Sequence, residues 1–145
     1  MKLLLLIWQL PQYLLGHLIA RLLHSTKDTE MSKTFNGLST VYTCKQSIGV
    51  SFGPVIIYGT EFKTPDDMPQ CTNHHEHGHA RQSQYLGPLY LVIVGLPSII
   101  MNLMSTYSIL YGTGQFYNNY YNRFPENWAD NLGGVKHSLD GTRIV

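Results

Sequence analysis

Between Arg81 and Arg123 the chain carries no Asp, Glu, Lys or Arg. Inside that stretch, the segment from Leu86 to Tyr111 is long enough to cross a bilayer, which takes ~20 residues. It is not a uniform apolar run. Pro88, Gly95 and Pro97 interrupt it, and Ser98, Asn102, Ser105, Thr106 and Ser108 add polar groups. A buried helical hairpin or a re-entrant segment fits those breaks as well as a straight span does. The rest of the chain must therefore fold around a long segment that brings no charge of its own. Charged residues make up 13% of the 145 residues, about half of the usual ~25%. Little is left to coat a surface, which points to contact with a membrane or a partner. The length suits a single domain, residues 1–145, with one modest core. A net charge of +1 and the lack of a clustered basic patch exclude a nucleic-acid groove.

Residues 1–24 begin with an apolar run, but Gln9, Pro11 and Gln12 break it and no small-residue cleavage site follows. The segment is thus read as part of the fold rather than as a signal peptide. From Tyr13 on, Leu14, Leu15, Leu18, Ile19, Leu22 and Leu23 recur at helical spacing. They predict an amphipathic helix, lying on a membrane surface or packed on the domain's own core. Ser25 to Lys33 reads as a loop. Residues 38–61 read as strands, with a turn or bulge at Ile48-Gly49 and a second strand from Val50 to Tyr58. Pro54 lacks an N–H, so that strand is expected at an edge or bulged. Glu61 to Gln70 reads as a loop. Thr72 or Asn73 then caps a helix over 73–86. An apolar helical segment follows over 87–111, then a Tyr- and Asn-rich loop over 115–124. A short helix over 125–132 starts at Pro125 and stops at Gly133-Gly134. Cys44 and Cys71 match no metal or redox spacing. Buried free thiols are expected, with a single disulfide as the alternative in an oxidising compartment.

The helix over 73–86 contains His75-Glu76-His77-Gly78-His79. Residues i and i+4 share a helical face, so His75 and His79 can meet one metal ion. Glu76 projects beside them, placed to take a proton from an attacking water and return it to a leaving amine. A catalytic zinc site needs a third protein ligand and an open place. Glu126-Asn127-Trp128-Ala129-Asp130 supplies carboxylates one turn apart. Glu126 is the expected third ligand, and Asp130 is spaced to orient a ligand histidine through its other ring nitrogen. Asp130 as the ligand, or Glu126 as a mere helix N-terminal acid, are the alternatives. Gln82 and Ser83, one turn past His79, are candidates for orienting the site. Gly78 is expected to admit a neighbouring strand. The strand from Gly49 to Tyr58 is a candidate for holding substrate backbone by β-augmentation.

H-E-x-G-H followed by E-x-x-A-D resembles the gluzincin metallopeptidases, above all the membrane-bound HtpX-like and CAAX prenyl protease branch. The likeness spans about fifteen residues. The rest of the chain is similar to short bacterial proteins that share Trp8-Gln9-Leu10-Pro11-Gln12, Gly87-Pro88-Leu89-Tyr90-Leu91, Gly95-Leu96-Pro97-Ser98 and Trp128-Ala129-Asp130. The resemblance implies Zn²⁺ as cofactor, His75, His79 and Glu126 as ligands, Glu76 as base and Asp130 behind a ligand. It also implies a peptide or protein substrate and a membrane-associated location. Such enzymes steady the oxyanion with a downstream side chain. His137 is the positional candidate here, with Tyr120 and Tyr121 as others. The expected fold is α+β: a minimal zincin-like core made of an N-terminal amphipathic helix, a small antiparallel sheet, the metal-binding helix, an apolar helical segment and the short ligand helix. Rival readings are a non-catalytic membrane or partner-binding protein with a structural or vestigial metal site, and a toxin- or immunity-type accessory protein.

Overall fold

The computed structural model describes residues 2–24, 32–36, 39–44, 49–59, 69–112, 117–138 and 143–145. Its helices are α1 (Lys2–Trp8), α2 (Leu10–His24), α3 (Pro69–Leu86), α4 (Leu96–Leu110) and α5 (Glu126–Gly133). Its strands are β1 (Ser32–Asn36), β2 (Ser39–Cys44), β3 (Gly49–Phe52), β4 (Val55–Gly59), β5 (Lys136–His137) and β6 (Arg143–Ile144). The architecture is α+β, as expected. The expected loop at 25–31, the turn residue Ile48 and most of the loops at 61–70 and 115–124 lie outside the described residues.

The main sheet has the order β1-β2-β4-β3. It is mixed rather than purely antiparallel, because β2 and β4 run parallel. The hydrophobic pattern explains the order. Val55, Ile56 and Ile57 are fully buried, so β4 takes an interior place, where both strand faces are covered. Val55 faces Gly16 of α2, where an added methyl would come within 2.6 Å of the Val55 Cβ. Its neighbour Ile56 packs with Val41 and Ala80 of α3. Successive residues of a strand point to opposite faces, so the two helices cover different sides of β4.

The expected single strand from Val50 to Tyr58 is two strands joined at Gly53-Pro54. Gly53 has a φ of 60°, the backbone that two-residue hairpin turns ask of a glycine. Pro54 thus sits in the turn and takes no ladder position. The expected loop at Ser25–Lys33 gives way to β1 at Ser32, which pairs with Thr43.

α3 begins at Pro69, before the expected cap at Thr72 or Asn73. Proline is favoured in a first helical turn, where its missing N–H costs nothing. The apolar segment is one continuous helical run, not a hairpin. A 3₁₀ turn at Gly87–Leu89 leads through a π-helical turn at Leu91–Gly95 into α4. The wider turn accommodates Pro97, which lies in the first turn of α4. The run from Leu91 to Leu110 is 20 residues long and apolar enough to cross a membrane. Cys44 and Cys71 are buried free thiols.

α3 and α5 meet backbone to backbone. A methyl on Gly78 would overlap the Ala129 carbonyl, and one on Gly133 would overlap the His74 carbonyl. Gly78 therefore admits a helix, where the sequence suggested a strand. Gly78→Ala would drive backbone against backbone, so it should destabilise the fold by about 3 kcal/mol. The expected loss of Tm is on the order of 10 °C in a domain of this size, measured by thermal unfolding beside Gly95→Ala, whose methyl meets only open contacts at 3.8 Å or more.

Candidate metal centre

The contact between α3 and α5 brings three buried ligand atoms together. His75 Nε2 lies 2.9 Å from Glu126 Oε2, His79 Nε2 lies 3.2 Å from the same oxygen, and the two Nε2 atoms are 3.1 Å apart. His75, His79 and Glu126 form a group that could hold a metal ion. All three residues are buried.

The far sides of the two rings decide which nitrogens face inward as acceptors. His75 Nδ1 is 2.7 Å from Asp130 Oδ1. A carboxylate oxygen only accepts, so Nδ1 carries the proton. His79 Nδ1 is 2.7 Å from Gln82 Oε1. Gln82 Nε2 donates to the Pro125 carbonyl at 3.0 Å, which leaves Gln82 Oε1 as an acceptor and His79 Nδ1 as the donor. In their neutral form both rings therefore aim Nε2 lone pairs at the Glu126 carboxylate. Three acceptors within about hydrogen-bond distance repel one another until a cation joins them.

Electrostatics carry the same demand. Burial would lower the His75 pKa, but hydrogen bonds to Asp130 and Glu126 outweigh it and push it up to about 9. Burial would raise the Glu126 carboxyl, yet the His75 and His79 rings against it, with protonated His75 donating to it, hold it well below the usual carboxylate range. Burial pushes Glu76 up. Without a metal, a proton on His75 fills the place of the missing cation.

Asp130 is the hub behind the ligands. Burial raises its pKa less than the His75 hydrogen bond, Arg143 and His137 lower it. His137 Nε2 donates to Asp130 Oδ2 at 2.8 Å, and Arg143 Nη2 donates to Oδ1 at 3.0 Å. The His137 nitrogen is thus engaged with Asp130, on the side of that carboxylate away from His75 Nδ1's oxygen. Arg143 is a buried cation whose guanidinium lies 3.6 Å over the Tyr121 ring. Tyr121 in turn meets His75 edge-on, with centroids 5.3 Å apart. Tyr120 hydrogen-bonds Ser98 of α4. Sequence reasoning missed Arg143, which stands in a two-residue strand near the chain end with no motif around it.

Glu76 is buried, and its Oε2 has no hydrogen-bond partner among the described residues. Gly49 of β3 lies against it, so close that a methyl there would come within 2.8 Å of Glu76 Oε1. Ser83 turns away from the centre and bonds Gln9 instead. His74 Nδ1 donates to the Gly133 carbonyl and His77 Nδ1 to the Asn73 carbonyl.

No protein-family model, curated protein or solved structure matches the chain.

Two consequences can be measured. With the His75 pKa near 9, the metal-free protein holds that proton at pH 7, and a metal must displace it. Metal binding at pH 7 should release about one proton, and affinity should rise with pH up to about 9. Calorimetry in buffers of different ionisation enthalpy reads both. Gln82→Ala frees the His79 ring to turn, so metal affinity should drop about 10- to 100-fold in a competition titration against a chelator.

Proposed function

We propose that the chain is a zinc-dependent peptide hydrolase of the gluzincin type that works at a membrane. One observation carries the metal half of this reading: two Nε2 lone pairs and one carboxylate oxygen converge, with both Nδ1 protons committed outward. Tetrahedral zinc with bonds of about 2.0–2.1 Å sets neighbouring ligand atoms ~3.4 Å apart. The three edges of 2.9, 3.1 and 3.2 Å fit that face after a small expansion. Structural zinc takes four protein ligands, whereas catalytic zinc takes three and keeps a place open. Among the described residues the group has three, which favours the catalytic reading over a structural or vestigial site.

A zinc ion held there would supply Lewis-acid polarisation of a scissile carbonyl and make a water more acidic. The side chains do the rest. Glu76 accepts the proton of the attacking water on its unpaired Oε2 and hands it to the leaving amine. Asp130 and Gln82 keep His75 and His79 in the ligating tautomer. Among the described residues β3 is an edge strand that passes Glu76; the Tyr90 hydroxyl caps its Ser51 carbonyl at 3.0 Å, so an extended peptide would pair only at the exposed Gly49 end. The membrane half of the reading is supported by the apolar run from Leu91 to Leu110.

Elemental analysis of the purified protein should find about one zinc per chain. His75→Ala should lose it. Glu76→Gln should keep the metal while hydrolysis of a mixed peptide library falls about 100-fold or more. A native protein that binds no metal would sink the site, and full peptidase activity in Glu76→Gln would sink the mechanism. Metal retention with no hydrolysis by the native chain would instead favour a structural metal in a membrane protein.

A further inference from the structure

The N-terminal helices are turned inside out for a protein surrounded by water. From Leu3 to Leu18 every exposed residue is apolar, Leu3, Leu4, Ile7, Leu10, Leu14 and Leu18 among them. The glutamines point inward: Gln9 is 2% exposed and Gln12 0%, against 71% for Leu4. The inner side is a polar clasp. Gln12 Nε2 donates to Ser83 Oγ and to the Gly87 carbonyl, at 2.9 and 2.8 Å, and Ser83 Oγ donates to Gln9 Oε1 at 2.8 Å. This clasp ties α1 and α2 to the end of α3, beside the start of the apolar run.

Both tryptophans of the chain meet α3 at this level. Trp8 Nε1 donates to the Gln84 carbonyl, and its ring packs over Gly87. Trp128 stacks between Tyr85 and Phe124, with centroids 6.5 and 6.2 Å away. Tryptophan and tyrosine gather where hydrocarbon gives way to water.

We propose that the apolar face of α1 and α2 is buried in a phospholipid bilayer, the same one that takes Leu91–Leu110, with the last turn of α3 at its boundary. This rests on the membrane half of the proposed function. A protein partner or a second copy is the other class of occupant for an apolar face, but protein interfaces carry about one hydrogen bond per 100–200 Å². From Leu3 to Leu18 this face offers no exposed polar side chain; Arg21, exposed one turn farther on, has the long stem that reaches from the apolar face to the headgroups. The face's attachment through Gln12 and Gly87 to the start of a helix of bilayer length also favours lipid. The arrangement bounds the distance of the metal-binding group from the lipid. His79 precedes Gly87 by eight residues, about 12 Å of helix, so the buried group lies within that distance of the boundary along α3.

The test uses the full chain reconstituted in phosphatidylcholine vesicles with brominated acyl chains. Trp128→Phe leaves Trp8 as the reporter for α1. Leu14→Trp, placed in a chain also carrying Trp8→Phe and Trp128→Phe, reports α2. Both reporters should lose most of their emission to the bromolipids and resist aqueous iodide. Trp8→Phe alone leaves Trp128, whose emission should be quenched less. Vesicle-bound protein with Trp8 and position-14 emission untouched by bromolipid would overturn the proposal, and sensitivity to iodide appearing on dilution would identify a second copy as the true occupant. Should Leu14→Trp fail to fold, the Trp8 reporter decides alone. A chain that does not associate with the vesicles overturns this inference together with the membrane half of the function, while the zinc half is read separately by elemental analysis.

Discussion

The backbone contact between α3 and α5 is the constraint on which the site depends. Packed helices usually stand 8–10 Å apart, held off by the side chains between them. Here the backbones themselves touch, and the same crossing brings Glu126 Oε2 within 3.2 Å of both Nε2 atoms. Gly78 on α3 and Gly133 on α5 remove the side chains that would hold them apart. Each meets a carbonyl of the opposite helix, Ala129 for one and His74 for the other. The same approach puts Asp130 opposite His75 and the Pro125 carbonyl opposite Gln82. Ligand, orienting carboxylate and orienting amide all follow from one close crossing.

That crossing gathers charge that has to be balanced. Glu76, Glu126 and Asp130 are all buried, with Arg143 as the buried cation near them. Unpaired buried carboxylates are costly, and the structure distributes the cost unevenly. Asp130 receives hydrogen bonds from His75, His137 and Arg143. Among the described residues, Glu126 and Glu76 each keep one oxygen with no partner. The carboxylate that only orients is saturated, while the two assigned to metal and to water are left open. An arrangement built for stability alone would have satisfied the inner pair first.

The metal motif was legible because it is local. His75, Glu76 and His79 lie within one helical turn or so of each other, and helical geometry alone puts both histidines on one face. Glu126 and Asp130 were legible as a pair for the same reason. Arg143 was not, because its partner is 13 residues away through a hairpin whose strands are two residues each. The strand order failed differently. Alternation shows which residues prefer burial, but it carries no record of strand direction, so the parallel pairing of β2 with β4 leaves no trace in it. Pro69 was read as a loop residue because proline and the acidic run before it look alike as punctuation. Only the helix that follows makes Pro69 a first-turn residue.

The N-terminal helix shows why pattern alone does not settle orientation. Its leucines and glutamines lie on opposite sides, and in water the leucine side would turn inward. The glutamines turn inward instead because α3 offers partners of matching chemistry. The Ser83 hydroxyl and the Gly87 carbonyl meet their amides, and Gly16 lets α2 settle onto Val55 without a side chain in the way. In hydrocarbon, polar groups gain by pairing with each other, while leucine loses nothing by facing out. α3 then serves two masters in one turn: Gln82 reaches toward the metal-binding group and Ser83 toward the clasp. Because neighbouring residues of one rigid helix hold both, the height of the centre above the apolar elements is a property of the fold and not of a linker.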